Sequence, residues 1–139
     1  MPLEEVLRRA RARIERLTPT EAWGAAIDGA FIVDLRATPL RVVPGSLLVP
    51  RTVLEWRLAP DSAWRSPHAP PLDARVILLC DHGESSSLAA AALLDLGFER
   101  TADVVGGFEA WEAAGLPAVD TPPGIRGWPG MEAPVASKP

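Results

Sequence analysis

Val76-Ile77-Leu78-Leu79 is a wholly apolar run that stops at the only cysteine of the chain, Cys80. A polar stretch follows, Asp81-His82-Gly83-Glu84-Ser85-Ser86-Ser87, and then Leu88-Ala89-Ala90-Ala91-Ala92-Leu93-Leu94, a strong helix former. The three segments read as a buried strand, a tight loop and a helix. That layout delivers a thiol to the C-terminal edge of a sheet and wraps backbone N–H groups around it. The helix aims its positive end at the same spot, where an anion is favoured. A thiolate placed there is stabilised and reactive.

Size and charge narrow the rest. A chain of 139 residues, 47% hydrophobic, has enough apolar material for one core. The net charge of −4 argues against a nucleic-acid binder, which shows a basic surface. A single cysteine makes no internal disulfide. The N-terminal stretch carries Arg8, Arg9, Arg11, Arg13 and Arg16 and does not resemble a signal peptide. The apolar run Leu88 to Leu94 is too short to span a bilayer. A cytoplasmic protein with neither nucleic acid nor membrane as partner is expected.

Along the chain, Leu3, Leu7, Ala10, Ile14 and Leu17 recur every three to four positions, so residues 1–17 are expected to contain an amphipathic helix over 3–16. It either docks on the domain with its arginines in solvent or serves as a small partner or oligomerisation helix. Thr18-Pro19-Thr20-Glu21 has a cap hydroxyl, a proline at the first helical position and a glutamate placed to bond back, which starts a second helix. Its expected inner face is Trp23, Ala26 and Ile27. Strands are expected at Phe31–Leu35, Ser46–Val49 and Ala102–Val105, with helices at Thr52–Leu58, about 86–96 and Phe108–Ala114. Residues 59–73, with Pro60, Pro67, Pro70 and Pro71, read as a surface loop. Residues 118–139 form a proline-rich tail that Trp128 could pin. Short strands alternating with helices imply an α/β fold, a parallel sheet covered by helices on both faces. Chemistry in such folds lies beyond the carboxyl ends of the strands, where Cys80 sits.

A free cysteine is often an inert core residue. Here Asp81, His82 and Gly83 follow immediately and do not belong in a core, and one of Ser85, Ser86 and Ser87 is expected to start and cap the helix. His82 is either a general base or an exposed loop imidazole, and the second reading is the simpler one. Asp34 and Arg36 either brace the rim of the site or pair with each other. Phe108 and Trp111 read as core anchors, His68 as a surface residue.

The loop Cys80-Asp81-His82-Gly83-Glu84-Ser85-Ser86 resembles the Cys-x-x-Gly-x-x-Ser loop of the rhodanese-like family. Asp34-Leu35-Arg36 is similar to its Asp-x-Arg, Pro44-Gly45-Ser46 to its Pro-Gly-Ala, and Leu54-Glu55-Trp56-Arg57 to a stretch of its single-domain members. Gly106-Gly107-Phe108-Glu109-Ala110-Trp111-Glu112-Ala113-Ala114-Gly115 is similar to its closing Gly-Gly-x-x-x-Trp-x-x-x-Gly. The resemblance runs over about 16–117, placing the domain at 18–117. It implies a three-layer fold and sulfane-sulfur transfer without metal or cofactor. Cys80 would attack the outer sulfur of a donor, carry it as a persulfide and pass it to a nucleophilic acceptor. The amides from Asp81 to Ser86 would cradle the anionic sulfur. Donor and acceptor would be small thiols, persulfides or partner proteins.

Two departures stand out. Members that process thiosulfate often place arginine where this chain has Ser85, and this loop carries Asp81 and Glu84. A dianion meets repulsion of order ~1 kcal/mol or more per close carboxylate, which favours a persulfide donor. The connection from Arg36 to Pro44 is short for the family, so the pocket rim is expected to differ. The alternative to an enzyme is a binding or regulatory module that kept the scaffold. A weaker third reading, a thiol redox or arsenate-handling enzyme, would need an external thiol to resolve it.

Overall fold

The computed structural model describes residues 1–122. Helix α1 spans Leu3–Arg11, strand β1 Glu15–Leu17, helix α2 Pro19–Ile27 and strand β2 Phe31–Asp34. Strands β3 (Arg41–Val42) and β4 (Leu47–Leu48) precede a 3-10 turn at Arg51–Val53 and helix α3 (Leu54–Leu58). Strand β5 (Arg75–Leu79), helix α4 (Ser85–Asp95), strand β6 (Arg100–Val104), helix α5 (Gly107–Ala113) and strand β7 (Val119–Asp120) complete the order.

Five strands form one parallel sheet in the order β1-β6-β5-β2-β4, so β5, the strand that ends at Cys80, is central. Alternation along the strands builds two cores. Ile32, Ile77, Leu79, Ala102 and Val104 face α2 and α5 and pack with Ala22, Ala26 and Trp111. Val33, Leu35, Val76 and Leu78 face α3 and α4 and pack with Leu54, Leu58, Ala90 and Leu93. Both faces are covered, which is why β5 reads as a continuous apolar run rather than an alternating one. The expected α/β layering is what the chain adopts.

Local signals explain most of the boundaries. The capping box of α2 forms as expected: Thr18 Oγ1 accepts from the Glu21 amide, and Glu21 Oε1 accepts from the Thr18 amide. The buried face of α2 is Ala22, Ala25 and Ala26, whereas Ile27 points to solvent; Trp23 meets Trp111 edge-on at 5.8 Å. The first helix is shorter than its periodicity suggests. It stops at Arg11, and Glu15–Leu17 pairs in parallel with β6. The cause is tertiary: pairing completes the sheet edge, seats Leu17 in the core and sets Arg16 opposite Asp103. The short segment after Arg36 forms β3, which pairs antiparallel with β7, so the start of the expected tail is a strand. Trp128 and the rest of the tail from 123 onward lie outside the described residues. Among the described residues no helix is long and apolar enough to cross a membrane.

Candidate active site

Cys80 follows the last residue of β5 and is 6% exposed. Its sulfur accepts hydrogen bonds from the amides of Gly83 at 3.2 Å and Ser86 at 3.4 Å. The Ser86 amide belongs to the first turn of α4, so the sulfur sits at the positive end of that helix. Ser86 Oγ lies 3.2 Å from the sulfur and donates to Asp103 Oδ2 at 2.8 Å. A hydroxyl has one proton. With Cys80 as thiol, the S–H donates to Ser86; with Cys80 as thiolate, the Ser86 proton turns to sulfur while Asp103 keeps the Ser87 hydroxyl at 2.7 Å. Burial pushes the Cys80 thiol up, but the hydroxyls of Ser86 and Ser85 and the amides of Ser86 and Gly83 outweigh it, leaving the thiol more acidic than an ordinary cysteine.

The serines act differently from the sequence expectation. Ser85 begins α4, but the cap position is Glu84 and no side chain caps the helix. The hydroxyls of Ser86 and Ser87 are spent on Cys80 and Asp103 instead.

Behind the loop, the two glycines before Phe108 permit a close approach. A Cβ on Gly107 would sit 2.4 Å from the Cys80 carbonyl oxygen, and Gly107 has φ +61°. With no side chain there, the Phe108 amide reaches the Cys80 carbonyl at 2.8 Å and the Glu109 amide reaches that of Asp81 at 3.2 Å. Gly83, at φ +85°, is equally enclosed, its Cβ direction blocked by the Gly106 amide nitrogen at 2.8 Å and the Val104 oxygen at 2.9 Å.

In front, Cys80 opens into a depression of about 360 Å³ lined by Arg36, Asp81, His82, Glu84 and Ser85 among others. A second, of about 680 Å³, shares Arg36, Asp81 and His82 and extends over Thr38–Arg41 and α5. Asp34 and Arg36 pair with each other, and Arg36 lines both depressions. Arg36 Nη2 donates to the fully buried Asp34 at 2.7 Å and to the Arg41 carbonyl at 2.8 Å, while its guanidinium lies 3.8 Å above the Phe108 ring. Phe108 and Trp111 are buried, as core anchors should be. His82 is exposed and 2.9 Å from Glu109 Oε2; His68 is exposed too. Among the described residues no cluster of His, Cys, Asp or Glu is arranged to hold a metal ion.

Arg11, Arg16, Ser87 and Asp103 were not anticipated as site residues. Asp103 is fully buried and pairs with Arg16 at 2.9 Å, the kind of partner a buried carboxylate needs. The one signal in the sequence was an aspartate inside the short apolar run Ala102–Val105.

Residues 18–114 match the family model of the Rhodanese-like domain. The thiosulfate sulfurtransferase GlpE of Haemophilus influenzae is 31% identical over 107 residues, covering 77% of this chain and 95% of that protein. The chain belongs to the rhodanese-like family. GlpE of Pseudomonas fluorescens is 34% identical over 100 residues, covering 72% of this chain and 86% of that protein. Among solved structures, a protein of unknown function from Rhodopseudomonas palustris, described as a possible tyrosine phosphatase, superposes with a TM-score of 0.72 at 33% identity, covering 84% and 93% of the two chains. A thiosulfate sulfurtransferase from Pseudomonas aeruginosa superposes at 0.63 with 26% identity, covering 80% of this chain and 21% of that one. The rhodanese-like fold and the family resemblance drawn from the loop, the Asp-x-Arg and the closing Gly-Gly motif thus agree with independent comparison.

Proposed function

We propose that this rhodanese-like chain is a sulfurtransferase in which Cys80 carries the transferred sulfur. The thiolate attacks the outer sulfur of a donor R–S–SH; the bond to that sulfur forms as the donor's S–S bond breaks, R–S⁻ leaves, and Cys80 holds a persulfide. A nucleophilic acceptor then takes the outer sulfur and returns the Cys80 thiolate. The observation that carries this reading is the sulfur itself, at the end of the central strand with the Gly83 and Ser86 amides directed at it. Those donors are in place before reaction and stabilise the anion in either half-reaction. Asp81, His82, Gly83, Glu84, Ser85 and Ser86 supply the loop around it, and Asp34 and Arg36 the rim. No metal or cofactor takes part.

The relatives are named for thiosulfate, but the charge around Cys80 favours a different donor. Asp81 and Glu84 line the depression, and its one guanidinium, Arg36, is paired with Asp34. We assign the donor role to a persulfide on a small thiol or a protein, in a chain expected to be cytoplasmic. The same two carboxylates support the second reading, a binding or regulatory module with little turnover.

Mass analysis after incubation with a small-molecule persulfide, with thiosulfate and with no donor tests both. The expected result is a gain of about 32 Da on Cys80 with the persulfide, its loss on adding cyanide or a thiol, and neither in Cys80→Ser. Intact protein that gains no mass from any donor would sink the enzyme reading.

A further inference from the structure

The carbonyl of Gly83 is the acceptor for two guanidinium groups that come from outside the loop. Arg11, the last residue of α1, donates from Nη2 at 3.0 Å, and Arg16, in β1, donates from Nη2 at 2.9 Å. Neither touches the sulfur. Each also bonds the next layer: Arg11 Nε donates to Ser87 Oγ at 3.0 Å, and Arg16 Nε donates to Asp103 Oδ1 at 2.9 Å. Asp103 in turn holds the hydroxyls of Ser86 and Ser87. Of the two residues whose amides face the sulfur, Gly83 is therefore tied directly to both arginines, and Ser86 is tied to Arg16 through Asp103.

We propose that Arg11 and Arg16 are positioning residues for Cys80: they pin the Gly83 carbonyl away from the sulfur so that the Gly83 amide and the first turn of α4 stay directed at it. The reasoning is geometric. A glycine at positive φ has the widest backbone freedom of any residue, and the peptide after Gly83 can rotate unless its carbonyl is held. Packing against Gly106 and Val104 blocks the Cβ direction of Gly83 but does not itself hold its carbonyl. The paired forks supply the other constraint, with charge-assisted bonds that a neutral donor would not match. The inference rests on the proposed function only in taking Cys80 as the reacting group.

Other charges surround the sulfur: Asp81, His82 and Glu84 in the loop, Glu109 of α5 against His82, Arg36 with Asp34 after β2, and Asp103 in β6. Arg11 separates the positioning effect from these, because its bonds go to Gly83 and Ser87 and leave the Arg16–Asp103 pair intact.

The test is the rate of Cys80 alkylation by iodoacetamide against pH, in the full chain, for the parent, Arg11→Gln and Arg16→Gln, with thermal unfolding recorded in parallel. The arginine variants are expected to move the midpoint upward by about half a unit or more, a fall of about threefold in rate well below the midpoint, with the high-pH plateau within about twofold of the parent's. Should Arg16→Gln fail to fold because Asp103 is left unpaired, Arg11→Gln decides alone. Arg11→Lys keeps the charge but loses the planar guanidinium fork, and its midpoint is expected between those of the parent and Arg11→Gln. A midpoint unmoved in folded Arg11→Gln, whatever its unfolding temperature, overturns the proposal. Alkylation reads the thiolate without sulfur transfer, so a parent that never forms a persulfide removes the proposed function and leaves this result to stand or fall by itself.

Discussion

At the scale of the residue, the chemistry of this chain is a contest over one sulfur atom. Burial works against its ionisation, and two hydroxyls and two amides work for it, with the second group stronger. The sign for activity follows: the reactive thiolate is fully formed above the folded midpoint and disappears as pH falls through it. Alkylation and sulfur loading are therefore expected to titrate together, with a midpoint below the ~8.5 of a solvated cysteine, and Ser86→Ala is expected to raise it by removing the hydroxyl donor. The sign for stability is the same. A folded midpoint below the unfolded one means the unfolded chain binds more protons in between, so stability rises with pH across that window. The gain is complete above the unfolded midpoint and is lost as pH falls through the folded one. Cys80→Ser lacks this titration, so plotting the unfolding free energies of parent and variant against pH isolates it. Parallel curves between pH 6 and 9 would mean the sulfur is no more acidic in the fold than out of it.

At the scale of the element, the loop is shaped as much by α5 as by its own residues. Gly107 lets the start of α5 donate to the carbonyls of Cys80 and Asp81, and a methyl group at that position meets backbone rather than a side chain that could swing aside. Gly107→Ala is expected to destabilise by about 2 kcal/mol or more from the positive φ alone, on the order of 8 °C in a domain of this size. It should also slow alkylation, because displacing α5 releases the Cys80 carbonyl; an unchanged melting curve and alkylation rate would contradict this account. The Gly-Gly pair was visible in the sequence as a motif, and so were the strand, the loop and α4, because each is carried by a contiguous pattern. What was hidden had no local cause. Strand β1 is three residues that β6 holds in place, β3 and β7 are two residues each that define one another, and the helical period of Ile14 and Leu17 continued past the real end of α1. Arg11 and Arg16 looked like solvated charges because their acceptors, Gly83 and Asp103, lie at least 67 residues away. Asp34 and Arg36, two apart in sequence, were legible as a pair for the opposite reason.

At the scale of the whole molecule, charge is expected to select among donors. The chain carries a net charge of −4, and two of its carboxylates, Asp81 and Glu84, line the Cys80 depression without an unpaired arginine or lysine among the lining residues. Raising salt from ~10 to ~150 mM shortens the screening length from roughly 30 to 8 Å. For a dianion that must approach this mouth, screening removes repulsion, so kcat/KM for thiosulfate is expected to rise severalfold over that range. A persulfide on an uncharged small thiol, with at most one negative charge, should change by less than about twofold. Asp81→Asn combined with Glu84→Gln should raise the low-salt thiosulfate value by about thirtyfold, the equivalent of ~2 kcal/mol spread over two carboxylates at a protein-surface dielectric, and flatten its salt dependence. The double substitution touches neither the amides around the sulfur nor the arginines behind Gly83, so Cys80 alkylation by the neutral iodoacetamide, compared on the high-pH plateau where the sulfur is fully ionised in both proteins, serves as the control. A thiosulfate rate that falls as salt is added would mean cations gather the dianion after all, and would return thiosulfate to this site as its donor.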